Sequence, residues 1–179
     1  MTGRIAIMDD HDARALGMEA LGSLRSGDRA RALELIAQGA DVNARDGRLD
    51  SVLLYAGAHG MDDVVSAALD AGGDLAVTNR FGGIALIPAS ERGHVSTVRL
   101  LIDAGSNLDH VNNLGWTALH EAIVLGDGGA RHLEIVRMLL DAGANPRLPD
   151  GDGVSPRELA RRAGYEEIVG ALDLVLDQP

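Results

Sequence analysis

The sequence predicts an all-α fold, a solenoid of about five stacked helix-turn-helix units joined by hairpin-like loops. One observation is a glycine period of 33 residues, in which a second glycine follows twelve residues after the first. The pairs are Gly27 with Gly39, Gly60 with Gly72 and Gly93 with Gly105, and Gly126 continues the series. The other observation is composition. Among 179 residues 46% are hydrophobic and only 2% aromatic, so the core must be aliphatic, which suits helices packed on helices.

Charge and composition exclude several classes of function. The formal net charge is −11 and all 16 basic residues are arginines without a concentrated basic patch, so nucleic-acid binding is not expected. The chain has no cysteine, which excludes disulfides and thiolate metal sites. Asp9, Asp10 and Asp12 stand where a secretory signal needs an apolar core, and no apolar run is long enough to cross a membrane. We therefore expect a cytoplasmic protein with no membrane partner.

The first two units differ in how well they keep the pattern. Residues 1–45 are expected to form a degenerate N-terminal unit or cap, with Leu35 and Ile36 in its second helix. Residues 46–78 form the second unit, whose loop at 48–51 lacks the glycine found in the corresponding turns. We expect a less regular loop there.

The third unit, residues 79–111, is expected to have the least regular first helix. Ile84 stands where a hydroxyl side chain would cap that helix, and Pro88 removes a backbone donor inside it. Two alternative explanations fit these departures: decay of the repeat, or a specialised contact with a partner.

The fourth unit, residues 112–149, is the clearest. Thr117 is a hydroxyl N-cap for a first helix that runs to about Leu125 and stops at Gly126, which can take a left-handed C-cap conformation. Four apolar residues share one face of the second helix: Ile135, Val136, Leu139 and Leu140. Residues 127–131 are an insertion, expected in the turn between the helices as either a neutral surface loop or a binding loop.

Residues 150–179 complete the array as a C-terminal unit or cap. Ser155, Pro156 and Leu159 open its first helix, and Ile168 and Val169 belong to its second. Arg157 replaces the buried leucine of the other units, as expected for a terminal unit with a polar outer face.

These motifs resemble the ankyrin repeat family. Residues 117–120 read Thr-Ala-Leu-His, similar to the family's Thr-Pro-Leu-His, and residues 93–94 match its Gly-His. Residues 39–44 are similar to its helix exit, and residues 114–123 resemble those of a bacterial subgroup. The resemblance covers roughly residues 27–176. It implies a single ankyrin repeat domain over residues 1–179, an L-shaped stack whose loops and first helices form a concave groove.

The resemblance also implies which residues bind a partner, because in this family the loop tips and the exposed faces of the first helices do so. By alignment those positions are Arg48, Asp50, His59, Arg80, Phe81, Glu91, Arg92, Asn113, Leu114, Trp116, Glu121, Leu125, Asp152, Val154 and Arg162. Phe81 and Trp116 are the one phenylalanine and the one tryptophan of the chain. Both are candidate aromatic anchors, although Trp116 could equally pack over its own helix.

The histidines and glycines do not predict a metal or cofactor site. His120 and His94 match structural histidines of the family, whereas His59, His110 and His132 fall at scattered positions. No histidine spacing typical of a metal site occurs, and neither glycine-rich stretch is followed by the Lys-Ser or Lys-Thr of a phosphate loop. We expect no metal and no cofactor.

The function expected is therefore a non-enzymatic protein-protein interaction module that binds another protein along its groove. A negative groove would favour a basic partner, with Arg48, Arg80 and Arg92 as local exceptions. One alternative is a self-associating structural repeat, either monomer or weak homodimer. The other is a small-molecule or catalytic groove that uses Glu91 and Glu121, with His120 or Asp127 as acid-base partners.

Overall fold

Ten α-helices make up the architecture of this computed structural model, which describes residues 9–177. They are α1 (Asp10–Ser26), α2 (Arg29–Ala37), α3 (Val52–Ala58), α4 (Asp62–Asp70), α5 (Leu86–Glu91), α6 (Val95–Asp103), α7 (Ala118–Val124), α8 (Ala130–Asp141), α9 (Pro156–Ala163) and α10 (Glu166–Leu176). No strand occurs within the described range. Consecutive helices pair as antiparallel hairpins, two to each unit, and the predicted all-α class is confirmed.

The hairpins stack side by side into two layers. The first helices α1, α3, α5, α7 and α9 contact one another in that order, and the second helices α2, α4, α6, α8 and α10 do the same. Each unit therefore packs against its neighbours along the chain, as in a solenoid. The predicted stack of about five units is confirmed.

The core is built from equivalent positions in successive units. One row inside the first helices consists of alanines that expose no surface: Ala56, Ala89, Ala122 and Ala160. One row inside the second helices is larger and equally buried: Leu35, Ala68, Leu101, Leu139 and Leu172. Small side chains in the inner layer let the first helices approach closely, while the leucines fill the space behind them.

The loops that connect the units share one hydrogen-bonding pattern. In each loop an Asp or Asn side-chain oxygen accepts two backbone N–H groups, from the residues two and four positions further on. These residues are Asp46, Asn79, Asn112 and Asp150. The residue three positions on has a positive φ: Leu49 (61°), Gly82 (72°), Gly115 (78°) and Gly153 (78°). The expectation of a less regular loop at 48–51 is wrong, because Leu49 adopts the left-handed conformation of the glycines.

The third unit has the shortest helix among the described residues. α5 has six residues and begins one residue later than α3 and α7 would predict, and Ala85 at its N-cap makes no side-chain capping bond. Ser51, Thr117 and Ser155 do make that bond at the equivalent place in their units. Pro88 is buried in the first turn, where a helix has no intrahelical partner for a backbone N–H. The prediction that this first helix is the least regular is confirmed by its late start and missing cap, but the proline costs the helix no hydrogen bond.

The fourth unit accommodates its insertion partly by helix extension. α7 ends at Val124, and Gly126 does not adopt the left-handed conformation; Gly128 does, with φ of 67°. Ala130 and Arg131 already belong to α8, which has 12 residues where α4 and α6 have 9. The predicted end of the first helix is correct to within one residue, but the left-handed cap at Gly126 and the placing of the whole insertion in the turn are wrong.

The N-terminal end of the array is more regular than expected, whereas the C-terminal end agrees with expectation. α1 is a regular helix of 17 residues, so the first unit is degenerate in sequence but not in structure. The part of the predicted unit within residues 1–8 lies outside the described residues. At the other end Arg157 is exposed and forms an ion pair with Asp173, whose pKa this hydrogen bond lowers. The polar outer face predicted for the C-terminal cap is present.

Candidate functional site

An open groove of about 420 Å³ runs across the concave side of units two to four. Its wall consists of loop residues, and its floor consists of the sides of α3, α5 and α7 that face it. We call this surface the groove. Its lining includes Arg25, Arg48, Asp50, Leu54, Tyr55, Ala58, His59, Asn79, Arg80, Phe81, Gly83, Ile87, Pro88, Glu91, Arg92, Asn112, Leu114, Glu121 and Leu125.

The lining residues form rows because the units repeat. One residue of each loop contributes to the wall: Arg48, Phe81 and Leu114. One residue of each first helix contributes to the floor: Tyr55, Pro88 and Glu121. One residue at each helix end completes the set: His59, Arg92 and Leu125. Each unit thus contributes these three equivalent positions to the groove, among its other lining residues.

The end of the groove next to α1 is held by a charged network. Arg25 forms ion pairs with Asp46 and with Asp50, the latter at 2.7 Å. Burial favours a higher pKa for Asp46, but the Arg25 hydrogen bond and two backbone donors outweigh it, so the pKa is lowered. Arg25 also lies 5.7 Å from the ring centre of Tyr55, which stacks on His59 at 4.0 Å. This network positions the first wall residues of the groove and occupies the carboxylate of Asp50.

Three other arginines leave their charge available to a ligand. Arg80 stacks over Phe81 with its guanidinium 4.5 Å from the ring centre, and Arg92 donates to the carbonyl oxygen of Ala58 at 2.7 Å. Arg48 is exposed at a loop tip. None of these three arginines forms an ion pair within residues 9–177.

The groove is less acidic than the chain as a whole. Its lining contains four arginines against three carboxyl groups, those of Asp50, Glu91 and Glu121, and Asp50 is paired with Arg25. The predicted negative groove is therefore wrong, because the acidic residues of the chain lie mostly elsewhere on its surface.

Glu121 is the one carboxyl group buried within the groove floor. Its side chain accepts a hydrogen bond from Nδ2 of Asn112 at 2.7 Å, and the residue is only 6% exposed. Burial raises the pKa of Glu121 to about 7, the Glu91 carboxylate adds to the rise, and the Asn112 hydrogen bond opposes it. Near neutral pH Glu121 is therefore only partly ionised, and it carries less negative charge than an exposed glutamate.

Exposed apolar side chains concentrate at the groove. Phe81 is 54% exposed, Leu114 57% and Leu125 50%, and all three line the groove. The other large exposed apolar residues in the described part of the chain, Leu49, Val111 and Leu174, are not part of the groove lining. An apolar patch flanked by arginine has the composition of a binding surface.

The structure brings together most of the predicted site residues but not all of them. Ten lie in the groove lining: Arg48, Asp50, His59, Arg80, Phe81, Glu91, Arg92, Leu114, Glu121 and Leu125. Five others, Asn113, Trp116, Asp152, Val154 and Arg162, do not line it. Trp116 is half-buried and Arg162 pairs with Glu158 at 2.9 Å. Of the two candidate aromatic anchors, only Phe81 faces the groove.

The groove also contains residues that sequence reasoning missed. Arg25 comes from α1, whose sequence does not carry the repeat motif, so no alignment could place it. Tyr55 is different in chemistry from Glu121, yet the repeat period puts both in one row with Pro88. That period was the signal that could have found Tyr55 from the sequence.

Two of the histidines have clear structural roles. His120 is fully buried, and its Nδ1 lies 2.8 Å from Oγ1 of Thr117. Burial lowers the pKa of His120, with the Asp150 carboxylate and the Leu148 backbone acting in the opposite direction. His94 is the N-cap residue of α6, and burial lowers its pKa as well. Both side chains are therefore kept uncharged inside the fold, where they have the structural roles that the sequence predicts.

Few residues could bind a metal ion. Among residues 9–177 one group of three has suitable ligand atoms close together, the exposed Asp9, His11 and Asp12, and it lies outside the groove. None of the described helices is long and apolar enough to cross a membrane.

Stacked helical hairpins with a solvent-open concave groove define a repeat protein of the scaffold class. Residues 53–150 match the family model described as ankyrin repeats in three copies. The chain is 43% identical to the ankyrin repeat protein YahD of Escherichia coli (strain K12) over 139 residues, which cover 77% of this chain and 69% of YahD. The chain belongs to the ankyrin repeat family, whose members are generally non-enzymatic scaffolds for protein-protein interaction.

Solved structures agree with the sequence comparison. The ankyrin repeat domain ABAYE2397 from Acinetobacter baumannii AYE superposes with a TM-score of 0.85 at 50% identity, covering 98% of this chain and 87% of that one. The ankyrin repeat protein EF0377 gives a TM-score of 0.80 at 38% identity, covering 84% and 76%. Tyrosine-protein kinase HTK16 of Hydra vulgaris is 36% identical over 74% of this chain, which spans 17% of that larger protein.

Proposed function

We propose that this chain is a non-enzymatic protein-interaction module that binds its partner in the groove of units two to four. The observation that carries the proposal is the alignment of Phe81, Leu114 and Leu125, three exposed apolar side chains along one concave surface. Exposed apolar area of this kind gains free energy when a partner covers it. Arg80 stacked on Phe81 adds the second residue type that dominates binding hot spots.

The shape of the groove favours binding over catalysis. The groove is partly open to solvent, so it excludes water less well than a closed cavity does, and general acid-base catalysis gains most in a closed site. The elevated pKa of Glu121 follows from burial and from Glu91, which is sufficient to explain it without a reaction. Glu91 and Glu121 are therefore proposed as groove residues that tune its charge.

Affinity capture with paired variants tests the proposal. The groove variant Phe81→Ala/Leu125→Ala removes two exposed apolar side chains, each worth about 1–2 kcal/mol in a typical hot spot. Val111→Ala is the matched control, because Val111 is 51% exposed and lies outside the groove. A protein captured from native extract by the wild type and by the control should be lost with the groove variant. Equal capture by all three proteins would place the binding surface elsewhere.

Self-association is the second candidate, and the same apolar side chains favour it. A second copy of the chain could cover Phe81 and Leu125, which would make a homodimer through the groove. Light scattering over a range of concentrations separates the two candidates. A dimer that Phe81→Ala/Leu125→Ala dissociates would support self-association, whereas a monomer at all concentrations leaves the groove for another protein.

A further inference from the structure

The charge of the groove contrasts with the charge of the chain. The chain carries a net charge of −11, yet the groove concentrates four of the 16 arginines and only three carboxyl groups. Arg25 is neutralised by Asp46 and Asp50, so the charge offered to a ligand comes from Arg48, Arg80 and Arg92. A locally basic surface on an acidic protein steers anionic partners to that surface and repels them elsewhere.

The arginines and the apolar side chains are separated along the groove. Units two and three contribute Arg48, Arg80 and Arg92, together with the aromatic ring of Phe81. Unit four contributes Leu114 and Leu125, exposed and apolar, beside Glu121. The groove therefore changes from basic to apolar in the direction from unit two to unit four.

Glu121 fits this gradient because its carboxyl group is hydrogen-bonded to Asn112 and buried in the floor. When it is protonated, the Glu121 carboxyl group adds no negative charge to the apolar end of the groove. Glu91 is the carboxylate that opposes an anionic ligand most directly, since it lies next to Arg92 and lines the groove without an ion pair in the described chain.

We propose that the groove recognises a bipartite extended segment of a partner protein, with Asp and Glu side chains over Arg48, Arg80 and Arg92 and apolar side chains over Leu114 and Leu125. This inference rests on the proposed function and specifies the chemistry of its partner. An extended segment fits because each unit offers one residue per row, so that recognition positions are spaced along the groove and not gathered into one deep pocket. Guanidinium groups suit carboxylates because they bind them through paired hydrogen bonds.

A display library of random twelve-residue peptides tests the inference. The wild-type chain is used for selection, and the dissociation constant of each enriched peptide is then measured with variants. Arg80→Glu/Arg92→Glu reverses two groove charges. Arg99→Glu/Arg137→Glu is the control with the same change in net charge, since both residues are exposed on α6 and α8 outside the groove lining.

The inference predicts that enriched peptides join acidic residues to a neighbouring apolar stretch. Their dissociation constants should rise roughly tenfold or more with the groove charge variant and less than about twofold with the control. Glu91→Gln should tighten binding, because it removes the opposing carboxylate. This sign is diagnostic, since a basic ligand would bind the Glu91→Gln variant less tightly.

Two other outcomes would overturn the inference in distinguishable ways. Basic or uncharged peptides whose binding is lost with Phe81→Ala/Leu125→Ala would contradict the charge preference and leave the proposed function standing. Peptides whose dissociation constants are the same for the wild type and for every groove variant would contradict the inference and the proposed function together.

Discussion

His132 in the fourth unit and His94 in the third hold equivalent places between successive hairpins, although five inserted residues separate His132 from Gly126. Nε2 of His132 lies 2.9 Å from the carbonyl oxygen of Glu91. His94 bonds to the backbone of Ala58, which is the position equivalent to Glu91 one unit earlier. The insertion is therefore accommodated before the histidine, and the bond between neighbouring units is preserved.

Loss of His132 should destabilise the array. The residue is buried, and its Nδ1 also lies 2.7 Å from Oδ1 of Asp127, so His132→Ala removes two hydrogen bonds and leaves a cavity. We expect the free energy of unfolding to fall by about 2–3 kcal/mol in urea titrations. His11→Ala, at a histidine whose side chain is 91% exposed, should change it by less than about 0.5 kcal/mol. Equal effects of the two substitutions would contradict the role given to His132.

Leu49→Gly should stabilise the protein. Leu49 has φ of 61°, where a side chain with a Cβ is strained and glycine is not. It is 42% exposed, so truncation loses less buried area than it would at a core leucine. The greater freedom of glycine in the unfolded chain offsets part of the gain, which leaves a stabilisation of about 0.5–1 kcal/mol, measured by thermal and urea unfolding.

Leu49→Ala is the control for that prediction, because alanine shortens the side chain but keeps the strain. It should be no more stable than the wild type. A loss of stability with Leu49→Gly that exceeds the loss with Leu49→Ala would show that the left-handed conformation is not the dominant cost at this position.

Glu121 should make the stability of the fold depend on pH. Its pKa in the folded protein is raised from 4.5 to about 7, so the folded state binds the proton more tightly than the unfolded state. The resulting stability is fully present below pH 4.5 and is lost as the pH rises through about 7. Glu121→Gln mimics the protonated acid and keeps an oxygen for Asn112. The variant should match the wild type near pH 4.5 and exceed it by on the order of 3 kcal/mol at pH 8.

The control for this pH dependence is Glu91→Gln. It removes the neighbouring carboxylate, which is the second cause of the raised pKa of Glu121. The midpoint of the pH profile should therefore move to a lower value while the profile persists. A difference in stability between Glu121→Gln and the wild type that stays constant from pH 4.5 to 8 would contradict the assignment.

The glycine period was sufficient to predict the fold, because a fixed spacing of helix ends specifies stacked hairpins. It was less informative where one backbone conformation can be adopted by different residues. Leu49 shows this: its loop lacks the expected glycine, yet the Asp46 side chain accepts hydrogen bonds from the backbone N–H groups of Arg48 and Asp50 and so supports the same geometry. Alignment on Gly126 also misplaced His132, whereas alignment on Gly143 would have matched it to His94.

The site was predicted only in part, because its properties depend on contacts between units. Ten of the groove residues followed from the alignment, but Arg25 comes from a helix without the motif and neutralises Asp50. The charge of the groove therefore could not be counted from the repeat positions alone. Likewise the raised pKa of Glu121 requires its burial beside Asn112, which the sequence does not state.

Photo-crosslinking at the groove tests the central claim most directly. The residue p-benzoylphenylalanine is introduced in place of Phe81, and in a separate variant in place of Val111, which is similarly exposed outside the groove. The account predicts a light-dependent adduct with the bound partner at position 81 and none at position 111. An adduct at position 111 with none at position 81 would contradict it.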